Sequence, residues 1–355
     1  YPQAPIYTSI YEPRAMPAAY REWDIRTSFM QRLPLVKRKH QLFLALYPLA
    51  FEQFDLSDYD LVISNSSAFA HGVLTREDAA HVCYCLTPAR FLWNYHAYVK
   101  REKVGRLARA MLTLPLHYLR SWDVAAANRV DSFLAISHAV QARIAKHYRR
   151  ESTIIYPPIR ASNYQLSAAV GDYYLIVSRL IPYKRIDLAV RAFNQLGLPL
   201  KIVGDGRDRQ SLQALARPNV EFLGRLPDAE VCRLYARCRA FILPGEEDFG
   251  LTPLEAQASG RPVIAFGAGG ALDTVVEGQT GAFFYQQTPE SLAQVVASFD
   301  PDACDPAQIR RHAEQFDIEV FKRQLSELVY LVYNECATRY SGRLARDLER
   351  VAAAK

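Results

Sequence analysis

PGEEDFGLTPLEAQASGRPVIAFGAGG, Pro244 to Gly270, decides the fold. A strand ends at Pro244, an acidic loop follows, a helix begins near Thr252 or Pro253, and a second strand runs from Pro262 to Phe266. Two strands separated by one helix in so short a span pair in parallel, with the helix as the crossover. Working outward, the same grammar repeats: apolar, β-branched runs at Tyr173–Ser178, Leu200–Gly204, Val220–Gly224 and Ala240–Pro244 alternate with helical spacing. Ile186, Val190, Phe193 and Leu196 share one helical face, as do Val231, Leu234, Tyr235 and Cys238. The first half carries strands at Ile6–Ile10, Leu61–Asn65, His81–Cys85, Phe133–Ser137 and Thr153–Tyr156, with helices over Leu42–Glu52, Arg106–Asn128 and His138–His147. Pro157-Pro158 closes the last of these strands, and the polar stretch to Gly171 reads as a linker.

The expected class is therefore α/β, with two Rossmann-like domains facing a cleft. Residues 1–168 form the first and 169–318 the second; a helix over 319–340 crosses back to the first, and 341–355 is a frayed tail. A composition of 50% hydrophobic and 23% charged residues excludes disorder and fibre. The longest apolar run, Leu42–Phe51, is about half the ~20 residues that span a bilayer, and Pro48 interrupts it. The six cysteines lack the paired spacing of a zinc site and read as reduced core residues. Residues 1–168 hold 21 Lys and Arg against 13 Asp and Glu, so all of the positive excess lies in the first half. Nucleic acid, an anionic membrane and a phosphorylated substrate are all compatible with it.

In open α/β sheets, ligands lie beyond the carboxyl ends of the strands, so the Glu246–Gly250 loop faces the ligand. Glu247 and Glu255 bracket a helix amino terminus, whose free amides favour anions and hydroxyls. Glu255 has a second reading, because Thr252, Pro253 and Glu255 spell a capping box that would satisfy those amides without a ligand. Glu247, beside two other acids, gains nothing structural from its position and reads as a ligand contact against a solvated loop residue. In SRLIPYKRIDLAV, Arg179, Lys184 and Arg185 gather at a strand end, a pattern suited to a diphosphate. Gly204-Asp205-Gly206 and Gly267–Gly270 add turns at which backbone can approach a ligand.

In this order, Arg179 with Lys184, the GDG turn, the E-x7-E segment EDFGLTPLE, ASGRPVIA and GAGG resemble glycosyltransferase family four, of GT-B fold, and its WbaZ-like mannosyltransferase branch. DYDLVISNSS, CLTPARFLWN and IYPPI carry the resemblance through the first half. It implies retaining transfer of a hexose, mannose from GDP-mannose favoured, to a saccharide or polyprenyl-diphosphate-linked acceptor in cell-surface polysaccharide assembly. By the same resemblance Arg179 and Lys184 hold the diphosphate, Glu247 the donor sugar and Glu255 the ribose. The backbone of Phe249, Gly250, Leu251 and Thr252 lies against sugar and phosphate, with Gly204 also at the donor, and Leu226 and Asp228 lie at the base. The nucleotide sugar is the co-substrate, and no cofactor or metal is implied.

The sequence departs from the branch at Leu86 and Ser67, where histidine is usual, and at Asn94, where an acid is usual. His71 and His96 nearby read as surface or packing residues. Members begin with a strand, glycine loop and helix of roughly 25 to 30 residues, so the first domain is expected to lack that unit before Ile6. Asp58-Tyr59-Asp60 has the form of a metal-binding DxD but reads as polar residues at a strand start. Lys100, Arg101, Lys103, Arg106 and Arg109 lead into Met111, Leu112, Leu114, Leu116 and Leu119, a stretch that suits the surface of an anionic membrane. The expected location is cytoplasmic, peripheral on the inner face of the cell membrane, with no nucleic-acid partner. Two rival functions share the fold: a nucleotide-sugar epimerase, and a sugar-nucleotide-binding protein with weak catalysis.

Overall fold

A computed structural model describes residues 1–95 and 106–353 of the chain. Contacts divide it into two units: Tyr1–Ala135, Val140–Ile154 and Ser326–Lys355 form the first, and Ile136–Ala139 with Ile155–Leu325 form the second. The chain thus changes unit after Ile154 instead of at 168. Backbone pairing is the reason: Ile159 donates to Phe316 O at 2.9 Å, Ile318 donates back to Ile159 O at 2.9 Å, and Ala161 N donates to the Asp317 carboxylate at 2.9 Å. The expected linker is strapped to the second unit.

In the first unit, β1 (Ile6–Thr8) and β2 (Ile25–Thr27) pair in parallel as a two-stranded sheet of their own. β3 (Leu61–Ser66), β4 (Ala80–Cys85), β5 (Ser132–Ala135) and β6 (Ser152–Ile154) form a separate parallel sheet in that order. The single doubly wound sheet read from Ile6 is thus in two pieces among the described residues. β1 is three residues long and pairs only with β2, and Pro13 and Pro17 lie in the turns between them. The Tyr7 ring meets Phe54, and its hydroxyl lies 3.1 Å from that of Tyr59, just before β3. The helix read over Leu42–Glu52 is a 3₁₀ turn, His40–Leu46, followed by α1 (Tyr47–Glu52), which Pro48 enters at the amino end, where its missing N–H costs nothing. α2 (Arg106–Ala127) and α3 (His138–Tyr148) match the expected helices within a residue or two.

In the second unit six parallel strands follow the order β12-β11-β10-β7-β8-β9. They are β7 (Tyr174–Val177), β8 (Leu200–Val203), β9 (Val220–Gly224), β10 (Phe241–Leu243), β11 (Val263–Phe266) and β12 (Gly281–Phe284). The longer helices are α4 (Ile186–Leu196), α5 (Arg209–Leu215), α6 (Asp228–Arg237), α7 (Leu251–Ala258), α8 (Pro289–Ser298) and α9 (Pro306–Glu314). The period of two divides each strand between faces: Tyr174 and Ile176 pack with Val190 and Phe193 of α4, while Leu175 packs with Tyr235 and Phe241 on the other side. Each fully buried side chain of this size contributes about 1.5–3 kcal/mol relative to exposure, so two covered faces account for a sheet with almost no polar residue in it. Sequence neighbours β7 and β8 wind one way from the centre, and β10 and β11 the other. The reversal falls between β7 and β10.

α10 (Ile318–Ala353) is a single helix, and the backbone past Tyr340, expected to fray, stays helical to Ala353. Its residues from Ser326 group with the first unit, where Arg339 meets Asp131 at 3.7 Å. Among the described residues no disulfide forms, and five of the six cysteines are buried. No helix of the described residues is long and apolar enough to cross a membrane. Lys100, Arg101, Lys103 and His96 lie outside the described residues, as do the side chains of Arg106, Arg109 and Met111.

Candidate functional site

The crevice at the carboxyl ends of β7 and β10, where strand order reverses, is where an open parallel sheet leaves room for a ligand. The loop after β7 carries Arg179 and Lys184; the loop after β10 carries Glu247. Lys184 Nζ and Glu247 Oε1 meet as an ion pair, with side chains only 15% and 16% exposed. This bond joins the two loops across the switch point. It also corrects the view that Glu247 gains nothing structural: its neighbours in sequence are acidic, but its neighbour in space is a half-enclosed ammonium.

Both loops are fixed by backbone. The chain at Gly245 runs so close to Lys184 that a Cβ there would stand 2.8 Å from the Lys184 carbonyl oxygen. Gly270 N donates to Glu247 O at 2.9 Å, and Glu247 bridges Gly269 in parallel. Phe249 is buried, its ring stacked 5.6 Å from Tyr156 and tilted 6.0 Å from Phe316, while Ser137 Oγ donates to Asp248 O at 2.5 Å. The Phe249 side chain therefore holds the loop, and only its backbone is presented.

Gly250 has φ of 96°, a left-handed conformation that a side chain would strain, and it opens α7 at Leu251. No side chain caps this helix. Thr252 and Pro253 lie inside the first turn, and Glu255 on the second is bonded elsewhere, so the capping-box reading of Thr252 and Glu255 fails. The first amides of α7, from Leu251 and Thr252, are left as donors at the positive end of the helix dipole.

Glu255 accepts from the Tyr235 hydroxyl at 2.7 Å, and the Tyr164 side chain lies beside the carboxylate. Burial pushes its proton affinity up, the two hydroxyls pull it down, and Asp228 at the start of α6 pushes it up again, leaving it above the usual carboxylate range. Leu226, in the turn between β9 and α6, is partly buried against the Tyr235 face of the core. Arg179 is exposed and donates to Tyr183 OH at 3.0 Å. Arg185 is held by Asp187 at 3.2 Å and Gln287 at 3.0 Å. Gly204 has φ of 124°, and a Cβ there would lie 1.9 Å from Ser178 O. A side chain at Gly204 would therefore collide with the neighbouring backbone. Sequence reasoning missed Tyr164, and it took Tyr235 for a plain core residue. The signal was present, since a buried tyrosine hydroxyl needs a partner.

In the first unit, Asp60 of the DxD pairs with Arg76 at 2.6 Å. Of the two readings of His71, surface or packing, the structure shows packing: it is buried, with Nδ1 3.1 Å from Ser66 Oγ and Nε2 3.3 Å from Asp123 Oδ1. A largely apolar cavity of about 380 Å³ is lined by Tyr47, Phe51, Phe69 and Leu116, with Ser67 and Asn65 among its polar groups.

Residues 167–316 match the sequence profile described as Glycosyl transferases group 1. The matched stretch takes in the six-stranded sheet and the loops that carry Arg179, Lys184, Glu247 and Glu255. Over 107 residues, 30% of this chain and 28% of the relative, the sequence is 47% identical to a GDP-mannose-dependent alpha-mannosyltransferase of Mycolicibacterium smegmatis. It is 25% identical to an uncharacterized glycosyltransferase of Methanocaldococcus jannaschii over 173 residues, 47% of this chain and 48% of that one. The chain spans about half the length of the first curated relatives it matches. HepE of Anabaena, solved with UDP, superposes with a TM-score of 0.63 at 19% identity, covering 88% of both chains. Sucrose-phosphate synthase of Thermosynechococcus elongatus gives 0.66 at 18%, covering 88% of this chain and 84% of its own. The fold is GT-B.

Proposed function

We propose that the chain is a retaining glycosyltransferase that moves a hexose, mannose from GDP-mannose first, to a saccharide or lipid-linked acceptor in cell-surface polysaccharide synthesis. The observation that carries this reading is the Lys184–Glu247 pair at the switch point of the stretch that matches the group 1 profile, beside a helix amino terminus without a side-chain cap. Cleavage of the anomeric bond leaves negative charge on the departing diphosphate. Arg179, Lys184 and the first amides of α7 are fixed positive groups that bind that charge more strongly as it develops. The acceptor hydroxyl forms the new bond to the anomeric carbon and gives its proton to the leaving phosphate on the same face, which retains configuration. Glu247 holds donor-sugar hydroxyls and Glu255 the ribose. Mannose is favoured by the 47% identity to a GDP-mannose-dependent relative, against the UDP bound in HepE.

Because the cations of Arg179 and Lys184 neutralise the leaving group, transfer is expected to proceed without a divalent metal. The chain is incubated with radiolabelled GDP-mannose, UDP-glucose and other nucleotide sugars plus lipid-linked acceptors, with and without chelator. Label moving from GDP-mannose to acceptor at an unchanged rate in chelator supports the reading. Epimerised sugar without acceptor, or binding without turnover, replaces it with one of its rivals. A manganese requirement lost in Asp58→Ala or Asp60→Ala returns the DxD to the mechanism.

A further inference from the structure

Glu255 lies on the second turn of α7 with its carboxylate mostly enclosed, and two tyrosines from different parts of the second unit converge on it. Tyr235, from α6, is 0% exposed and donates to Oε2 at 2.7 Å. Tyr164, from the segment strapped to the unit before β7, brings a second hydroxyl beside the carboxylate, and its ring stands edge-on to that of Tyr235 at 6.0 Å and 78°. Packing does not account for the hydroxyls, since phenylalanine would fill nearly the same volume in both places. It would also leave a mostly enclosed carboxylate short of donors, and buried charge persists only where it is hydrogen-bonded. An ionised carboxylate is acceptor-only, with about four lone-pair sites. The Tyr235 bond, with the Tyr164 hydroxyl beside it, restricts the carboxylate's orientation and leaves acceptor sites to spare for a ligand.

We propose that Tyr164 and Tyr235 are positioning residues that aim the Glu255 carboxylate at the donor ribose, and that this pair sets the preference for ribose over deoxyribose. The inference rests on Glu255 being the ribose contact, as proposed above. The other ionisable groups facing the carboxylate are Asp228 and Cys232, both on α6. Neither can donate a bond as short and directed as a phenol, so the tyrosines alone set its orientation.

The test compares binding of GDP with that of its dideoxy form, which lacks both ribose hydroxyls, in the wild type and in Tyr235→Phe, Tyr164→Phe and Glu255→Ala. A pair of hydrogen bonds to a charged acceptor predicts that the wild type prefers GDP by about tenfold or more. Tyr235→Phe should lower that ratio to within about threefold by weakening GDP, with the dideoxy form bound as before. A merely structural role would weaken both ligands alike and leave the ratio unmoved. Tyr164→Phe, at the less buried partner, carries the same prediction should Tyr235→Phe not fold. If both tyrosine variants keep the wild-type ratio while Glu255→Ala loses it, the positioning role is overturned and the ribose contact stands. If Glu255→Ala also keeps the ratio, the ribose assignment falls, and this inference with it.

Discussion

Lys184→Ala is expected to lower donor affinity and turnover together, with turnover falling on the order of 100- to 1000-fold, the usual cost of removing one fixed donor from a developing oxyanion. Glu247→Gln should act mainly on turnover, because it keeps the shape of the side chain and removes the charge facing the sugar. The two effects are coupled in this structure, since each group is the other's ion partner. Lys184→Ala leaves a carboxylate only 16% exposed without its cation, so part of its effect is repulsion between Glu247 and the diphosphate. The double variant separates the terms: if repulsion contributes, Lys184→Ala with Glu247→Gln binds nucleotide better than Lys184→Ala alone. Steady-state kinetics and nucleotide titration of the three variants check this. Full activity in both single variants removes the site assignment.

The second large effect is on stability. Asp123, on α2, is fully buried; it accepts from Trp93 Nε1 at 2.7 Å and faces His71 Nε2 at 3.3 Å. Burial drives the proton off His71, but the hydrogen bond and charge of Asp123 outweigh it and raise the imidazole above its ordinary range. Asp123→Ala removes the partner of a buried imidazole and of an indole N–H, which costs about 3–5 kcal/mol. The pH dependence has a definite sign. A histidine whose folded-state affinity for protons is raised contributes fully below its unfolded value near 6.5, and that contribution is lost as pH rises through the higher folded value. His81 works in the opposite sense. Burial, with the charges of His71 and Arg129, holds it down at about 3, so it removes stability as pH falls from its unfolded value of 6.5 toward 3. Denaturant melts across pH should therefore weaken on both sides, and Asp123→Ala should flatten the alkaline limb. An alkaline limb unchanged in Asp123→Ala contradicts the ion pair.

The second unit was legible because its signals are local. Runs such as Leu200–Val203 and Val263–Phe266 are buried on both faces and read as strands at once, and Lys184 and Glu247 could be picked out from their places at strand ends. What connects them was not legible. The Lys184–Glu247 pair spans 63 residues and the Tyr235–Glu255 bond spans 20 between separate helices, and sequence spacing carries no trace of such contacts. The capping-box reading failed because a short motif cannot reveal that Gly250, with its positive φ, had already started the helix. The first unit was harder. β1 and β2 are three residues each and pair only with one another, and β2 was missed because Ile25–Thr27 carries too few apolar residues to show a period. His71 is the packing residue that one of its two readings allowed, but its partner Asp123 was not legible, because it lies 52 residues away on a helix whose buried face gave no hint of an acid.

The central claim is that the switch point of the second unit holds a nucleoside diphosphate sugar. The most direct measurement is a crystal structure of the chain with GDP-mannose. The account predicts phosphate oxygens on Arg179, Lys184 and the first amides of α7, ribose hydroxyls on Glu255, and the hexose against Glu247. A nucleotide bound elsewhere, with the Lys184–Glu247 pair and the α7 amides untouched, would contradict it.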